Sequence, residues 1–255
     1  MKNFVLAIAL LTSSSVIANN NNDNNCDIKL TADVEISPTQ ITFLQDNIPL
    51  YRINHDQVLL ISDNAISLNE RQQALLTEYA QNIRAMVPAI KTLAFEGVEL
   101  TQYGIGLAFN KLLGENSNVN NSLNKELHLL KQNIAQRLAT DQTILIKQDG
   151  SIDGFNSEAF EQHIEVAIEQ AVEETLGSLM MAVGQKLIFS GGNMEKFEQD
   201  MEAFAAIIED KIENQAEALA IKAGAICLSA NQLNILETQL SHQIPALKNF
   251  NILVI

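Results

Sequence analysis

Cysteine, positive charge and long apolar runs are all scarce in this chain, and each scarcity removes a class of function. Two cysteines, Cys26 and Cys227, stand far apart in 255 residues, so no C-x-x-C redox pair or thiolate metal cluster can be drawn. Sixteen Lys and Arg face 31 Asp and Glu, a formal charge of −15. Such a surface repels nucleic acid and anionic lipid headgroups over a Debye length, so neither is expected as a partner. No run after the first twenty residues reaches the ~18 apolar positions of a membrane-spanning helix, so no integral membrane segment is expected. Also missing are G-x-S-x-G, a phosphate-cradling G-x-x-x-x-G-K-[ST], the dinucleotide glycine fingerprint and H-E-x-x-H. No catalytic residue and no cofactor is assigned, and the sequence leans away from an enzyme.

What is present begins with an export signal. Lys2 supplies the positive start, residues 4–11 a short apolar core, and Val16-Ile17-Ala18 a cleavage pattern. Cutting there removes Lys2, so −15 becomes −16. The mature protein is expected to be periplasmic, an oxidising compartment in which an isolated cysteine pair reads as a structural disulfide, Cys26 with Cys227. Closing a loop of about 200 residues would stabilise the fold by up to about 5 kcal/mol in the chain-entropy account.

Residues 19–25 are an asparagine-rich tract without periodicity, read as a disordered leader. From Cys26 the pattern alternates: Ile28, Leu30, Ala32, Val34 and Ile36 against Asp27, Lys29, Thr31, Asp33 and Glu35, the period of a strand. Further short apolar runs at 41–44, 48–53, 58–61 and 65–68 are separated by Asp46-Asn47, Asn54-His55-Asp56 and Ser62-Asp63-Asn64, which favour tight turns and antiparallel neighbours.

Asn69 with Gln72 predicts a capping box opening a long helix. Pro88 predicts a kink in it, and Gly97, Gly104 and Gly106 mark either close helix approach or a weak end. An Asn/Ser-rich loop at 114–122 precedes a shorter helix of Leu123, Leu127, Leu130, Ile134 and Leu138. Asp149-Gly150, flanked by 143–147 and 151–155, is a strong two-stranded hairpin signal if its turn is type I′.

Two longer stripes follow. Phe160, Ile164, Ile168, Val172, Leu176, Leu179, Val183 and Leu187 stop at Ser190-Gly191-Gly192; Asn193 then opens Met194, Phe197, Met201, Phe204, Ile208, Ile212, Ala216, Leu219, Ala223 and Ile226. Steps of three and four with a glycine break predict an αα-hairpin. The helical pattern continues as an extension over 231–243, Pro245 ends it, and a terminal strand or tail completes the chain.

The expected fold class is therefore α+β: an N-terminal antiparallel β-meander packed with long amphipathic helices, including a long αα-hairpin. The expected segments are 1–18 (signal), 19–25 (leader) and one domain, 26–255. Within that domain, 26–68 is meander, 69–140 helical, 141–155 β-hairpin, 156–243 helical hairpin and extension, and 244–255 terminal strand or tail.

Two places could carry binding chemistry. Asp149, Ser151 and Asp153 resemble the first half of a calcium loop, but position twelve is Phe160 where a bidentate Glu is needed, so a plain turn is the favoured reading and no metal is assigned. Met180, Met181, Phe189, Met194, Phe197 and Met201 gather soft and aromatic side chains at the turn of the helical hairpin. They form either an adaptable apolar binding tip or ordinary core, and core is favoured.

In feature order the chain resembles the YggN-like family of exported bacterial proteins of unknown function. The resemblance lies in Cys26 with its alternating strand, Leu68-Asn69 with Gln72, Tyr79, Arg84 and Pro88, Gly150 and Gly154, and Cys227 with Ile244-Pro245-Ala246-Leu247. It implies a periplasmic location and supplies no catalytic residues. The expected function is a non-enzymatic binding or chaperone-like role toward an apolar ligand, peptide or envelope protein. An enzyme with a composite site and a structural envelope component are the alternatives, and the oligomeric state is left open. Intact-mass analysis of the oxidised mature protein after thiol alkylation is expected to find neither cysteine labelled; two labelled thiols would refute the disulfide.

Overall fold

The structure, a computed structural model, describes residues 28–113, 118–153 and 194–254. The leader, Cys26, the first arm of the helical hairpin and its glycine turn fall outside the described residues.

Three polar pairs bend the first part of the chain into a sheet. Asp46 and Asn47, His55 and Asp56, and Ser62 and Asp63 all take positive φ, between 48 and 63°. Asn and Asp tolerate this left-handed region better than most residues, and two such residues in succession give the twist that suits an antiparallel hairpin. The strands are β1 (Lys29–Leu30), β2 (Asp33–Ile36), β3 (Gln40–Gln45), β4 (Ile48–Asn54), β5 (Val58–Ile61), β6 (Asn64–Ala65), β7 (Ile144–Ile146) and β8 (Leu253–Val254). Six of them form one antiparallel sheet in the order β6-β5-β4-β3-β2-β7, while β1 pairs with β8.

The pairing aligns alternate side chains into an apolar face. Ile36, Ile41, Ile53 and Leu59 form one cross-strand row, and Val34, Phe43 and Tyr51 another. All seven are buried. Helix α1 (Glu70–Leu113) supplies buried Leu75, Leu76, Tyr79, Ala80, Ile83 and Val87, and Phe43 stacks between Tyr51 at 4.3 Å and Tyr79 at 6.2 Å. Each such side chain removed from water contributes about 1.5–3 kcal/mol before ordering costs. Arg84 on α1 then ties two sheet turns, donating Nε–H to Asp56 Oδ1 at 2.8 Å and Nη1–H to the Ser37 carbonyl.

The predicted cap is formed in both directions. Asn69 Oδ1 accepts from the Gln72 N–H at 3.0 Å and Gln72 Oε1 accepts from the Asn69 N–H at 2.9 Å. Helix α1 runs through Pro88 as one element. Helix α2 (Asn118–Arg137) starts inside the expected Asn/Ser-rich loop, and helix α3 (Met194–Gln243) is one 50-residue helix that includes the extension expected at 231–243.

Contacts divide the chain into two compact units. The first comprises Met1–Thr92, Ile134–Ser157 and Lys222–Ile255, and holds the sheet; the second comprises Leu93–Asn133 and Glu158–Ile221. In the second, Glu99 pairs with Lys131 at 2.6 Å and Gln102 with Asn124 at 2.8 Å, which runs α2 antiparallel to α1. Gly97 and Gly104 face Leu219 and Ile212 of α3, seven residues apart in opposite directions. A Cβ at Gly104 would crowd Ile212, so close approach is the role of that glycine, whereas a Cβ at Gly97 would meet Leu219 at ordinary contact distance and one at Gly106 open space.

Two local expectations are corrected. The eleven-residue alternation from Cys26 is not one strand: it bends at Thr31 and Ala32, where β1 leaves for the C-terminal tail and Thr31 N–H bonds the Ile252 carbonyl at 2.9 Å. Alternation reports which face is buried, not which strand is the neighbour. The turn at Asp149-Gly150 is not type I′, since only Gly150 has positive φ (80°). Gly150 N–H bonds Lys147 O and Lys147 N–H bonds Ser151 O, each at 2.8 Å, the pattern of a three-residue loop closed by a glycine bulge.

The two kinds of glycine predict opposite mutational effects. Gly104→Val is expected to destabilise by about 1–3 kcal/mol, because a Cβ there lies 3.1 Å from Ile212 Cδ1. Gly106→Ala, with open space and better helix propensity, is expected to stabilise by about 0.5–1 kcal/mol. Urea unfolding of the two variants checks both signs.

Candidate functional site

The C-terminal half of α3 is apolar on two faces. One stripe, Ile226, Ala230, Leu233, Leu236 and Leu240, is buried. A second, at steps of three and four on other positions, is Ala218, Ile221, Ala225, Leu228, Gln232 and Ile235, and every member is exposed. Ile221, Leu228 and Ile235 keep 69, 72 and 57% of their surface in contact with solvent. The same helix accounts for a segment, Glu209–Gln243, that is long and apolar enough to cross a membrane by length and composition, with mean hydropathy 1.3 but 22% burial over its most apolar window.

The inner face is locked by a buried carboxylate. Glu237 is 4% exposed, and its two oxygens accept the Ile252 N–H at 2.6 Å and the Leu253 N–H at 2.9 Å. The tail is further held by Phe250 against Tyr51, 5.5 Å between ring centroids, by Gln72 Nε2–H donating to the Gln243 carbonyl at 2.6 Å, and by the pairing of β8 with β1. Burial pushes the Glu237 carboxyl above its ordinary value, against the lowering by the two tail N–H groups. Burial likewise raises Tyr51 and Tyr79, and the nearby Glu237 charge adds to both. This cluster is closed to solvent and its acceptors are occupied by backbone, so its chemistry is structural.

The positions singled out from sequence fare differently. Asp149 accepts the Ser151 N–H at 2.9 Å, and hydrogen bonds from Ser151 hold its carboxyl below the usual value. Asp153 pairs with Lys147 at 3.1 Å. These are the contacts of a turn and a surface ion pair. Among the described residues no three His, Cys, Asp or Glu side chains gather as a metal site. Cys227 is not a free thiol, while Cys26 lies outside the described residues. So do Met180, Met181 and Phe189; Met194, Phe197 and Met201 lie on α3, but their side chains are outside the description. An open cleft of about 410 Å³ is lined by Gln57, Glu70, Gln73, Ala74, Thr77, Glu78 and Gln81, which are mostly amides and carboxylates.

The candidate site is therefore the outer face of α3, which the reading of the sequence passed over. Its signal was present: Ile221, Leu228 and Ile235 recur every seven residues outside the stripe traced through Leu219, Ala223 and Ile226.

Compared with known proteins, residues 26–253 match the model of a family described as a protein of unknown function, DUF2884. The chain belongs to the DUF2884 family. No curated protein and no solved structure matches it. The match begins at Cys26 and ends at Leu253 in β8, so the DUF2884 region takes in both strands of the small β1–β8 sheet and the Glu237 lock beside it.

Glu237 gives this subsection its test. A carboxyl whose folded value is raised contributes most below its ordinary value near 4.5, and that contribution is lost as pH rises to the folded value. Glu237→Gln cannot ionise, so residue 237 adds no pH dependence to that variant, whereas the parent loses stability as pH rises; the stability of the parent relative to Glu237→Gln is expected to be highest in acid and to fall toward neutral pH. Urea unfolding of both proteins from about pH 4 to pH 7 measures it; a gap independent of pH would show that Glu237 titrates as it does in the unfolded chain.

Proposed function

We propose that this DUF2884 protein is a non-enzymatic, chaperone-like binding protein that presents apolar helix surface to an apolar ligand, a peptide or an envelope protein. The observation that carries this reading is the outer face of α3, where three large aliphatic side chains stand in water along a 50-residue helix. Single exposed aliphatic residues are ordinary, but a periodic row of them on one helix marks a surface with a partner. The chain around it is strongly acidic, which favours apolar or basic partners over anionic ones. Met180, Met181, Phe189, Met194, Phe197 and Met201 are the further apolar candidates that the sequence offers.

The wider reading places the protein in the periplasm as a YggN-like member of its family, exported by residues 1–18 and held by a Cys26–Cys227 disulfide. A disulfide there would tether the start of the domain to α3 a few turns before Glu237, so both would restrain the same helix. The apolar length of α3 then serves two faces of a water-facing protein, one packed inward and one offered outward, rather than a membrane span.

Native mass spectrometry of the mature protein purified from its own periplasm, with lipid analysis of an organic extract, is the deciding experiment. A reproducible lipid, peptide or protein adduct is expected, and Leu228→Glu with Ile235→Glu should lose it while circular dichroism stays unchanged. A chain that carries nothing, or an adduct indifferent to the double variant, would overturn the reading.

A further inference from the structure

We propose that the segment after Leu247 is a pH-responsive strap, which lifts off β1 and Tyr51 when the Glu237 carboxyl beneath it gives up its proton, while α3 and the six-stranded sheet stay folded.

Geometry makes this segment the one that yields. Strand β8 shares two register pairs with β1, Lys29 with Val254 and Leu30 with Leu253, and the Thr31 N–H adds one bond to the Ile252 carbonyl at 2.9 Å. By contrast, Tyr51 sits in β4, which is paired with β3 on one side and β5 on the other, and Tyr79 sits within the 44-residue α1. Asn249, Asn251 and Val254 are exposed, Phe250 and Leu253 are half-buried, and Ile252 alone in the strap is fully buried. Ahead of it, Ile244 and Leu247 are buried at either end of the turn Pro245–Leu247 and anchor it. The exposed Lys248 and Asn249 are therefore the hinge. A segment with so few buried side chains and shared backbone bonds opens at lower free energy than the core around it.

A proton is coupled to that opening. In the closed form Glu237 is 4% exposed, and burial holds its carboxyl above the ordinary value despite the N–H groups of Ile252 and Leu253. Lifting the strap returns water to the carboxyl, so its hold on the proton relaxes toward the ordinary value near 4.5. A closed strap over a neutral carboxyl thus becomes an open strap beside a carboxylate, with one proton released to solvent. Opening rises with pH from that ordinary value and levels off above the closed-form value, where both forms are ionised.

The groups around Glu237 single it out as the trigger. Tyr51 from β4 and Tyr79 from α1 face it, and burial with the Glu237 charge pushes both phenols well above their ordinary value, so they stay neutral. Residues 249–254 carry no ionisable side chain, and neither do Leu233, Asn234, Leu240 and Ser241, one helical turn away on α3. Lys29 on β1, Lys248 at the hinge and His242 on α3 are exposed. Opening frees one edge of β1 and the side of Tyr51 that Phe250 covers, so more of the aromatic cluster meets water at neutral pH than in acid.

Native-state amide exchange of the full mature protein, followed by NMR from about pH 4.5 to about pH 7.5 in zero to about 1 M urea, tests this. The Ile252 and Leu253 amides are expected to be protected about tenfold less than those of β4, with no dependence on urea. After correction for the intrinsic rate, their protection should fall about threefold or more across the pH range. Glu237→Gln, with no proton to lose, should flatten that fall, and His242→Gln should leave it in place. Strap amides that share the protection and urea dependence of β4 would overturn the strap, because the carboxyl would then meet water only by global unfolding. Protection independent of pH, a fall that persists in Glu237→Gln, or one that vanishes in His242→Gln would each overturn the coupling to Glu237. Should Glu237→Gln fail to fold, the urea and pH dependence of the parent amides still decide.

Discussion

Glu237 can remain buried only while the C-terminal tail lies across it. Its carboxylate has given up water, and the N–H groups of Ile252 and Leu253 are its replacements. A charged acceptor buried without them would cost several kcal/mol, so the tail must lie over helix and sheet wherever the carboxylate is dry. The tail in turn needs β1 as a strand partner and Tyr51 as a surface for Phe250. One acid on α3 thus couples the two ends of the family-matched region to the aromatic stack of Phe43, Tyr51 and Tyr79.

That coupling decides which face of α3 is spent. Ile226, Ala230, Leu233, Leu236 and Leu240 turn inward beside Glu237. Because a helix turns about 100° per residue, the row at Ile221, Leu228 and Ile235 is then held away from this core. The exposed seam follows from the same rotation that buries the acid. In the second unit, Gly104 does a comparable job for α1, where a missing Cβ lets Ile212 of α3 come close.

The candidate site was less legible than the fold. The meander, its three polar turns and the Asn69–Gln72 cap could be read from residue types, since each rests on local backbone chemistry. The bend at Thr31 and the pairing of β1 with β8 could not, because Leu30 alternates equally well beside any strand. Nor could the exposed seam be separated from the core stripe. Both are runs of Ile, Leu and Ala at helical spacing, and periodicity gives faces without saying which is covered.

By itself, the sequence determined the α+β class, the three polar turns of the meander, the Asn69–Gln72 cap, the acidic charge and the scarcity of catalytic motifs. These follow from local preference and composition, which act within a few residues or over the whole chain at once. Only the tertiary structure decided that Glu237 is a buried lock rather than a surface acid, and that Gly104 admits a helix while Gly106 does not. It also decided that Leu228 faces water. Each of those depends on neighbours far away in the chain, and burial is a property of the neighbours rather than of the residue.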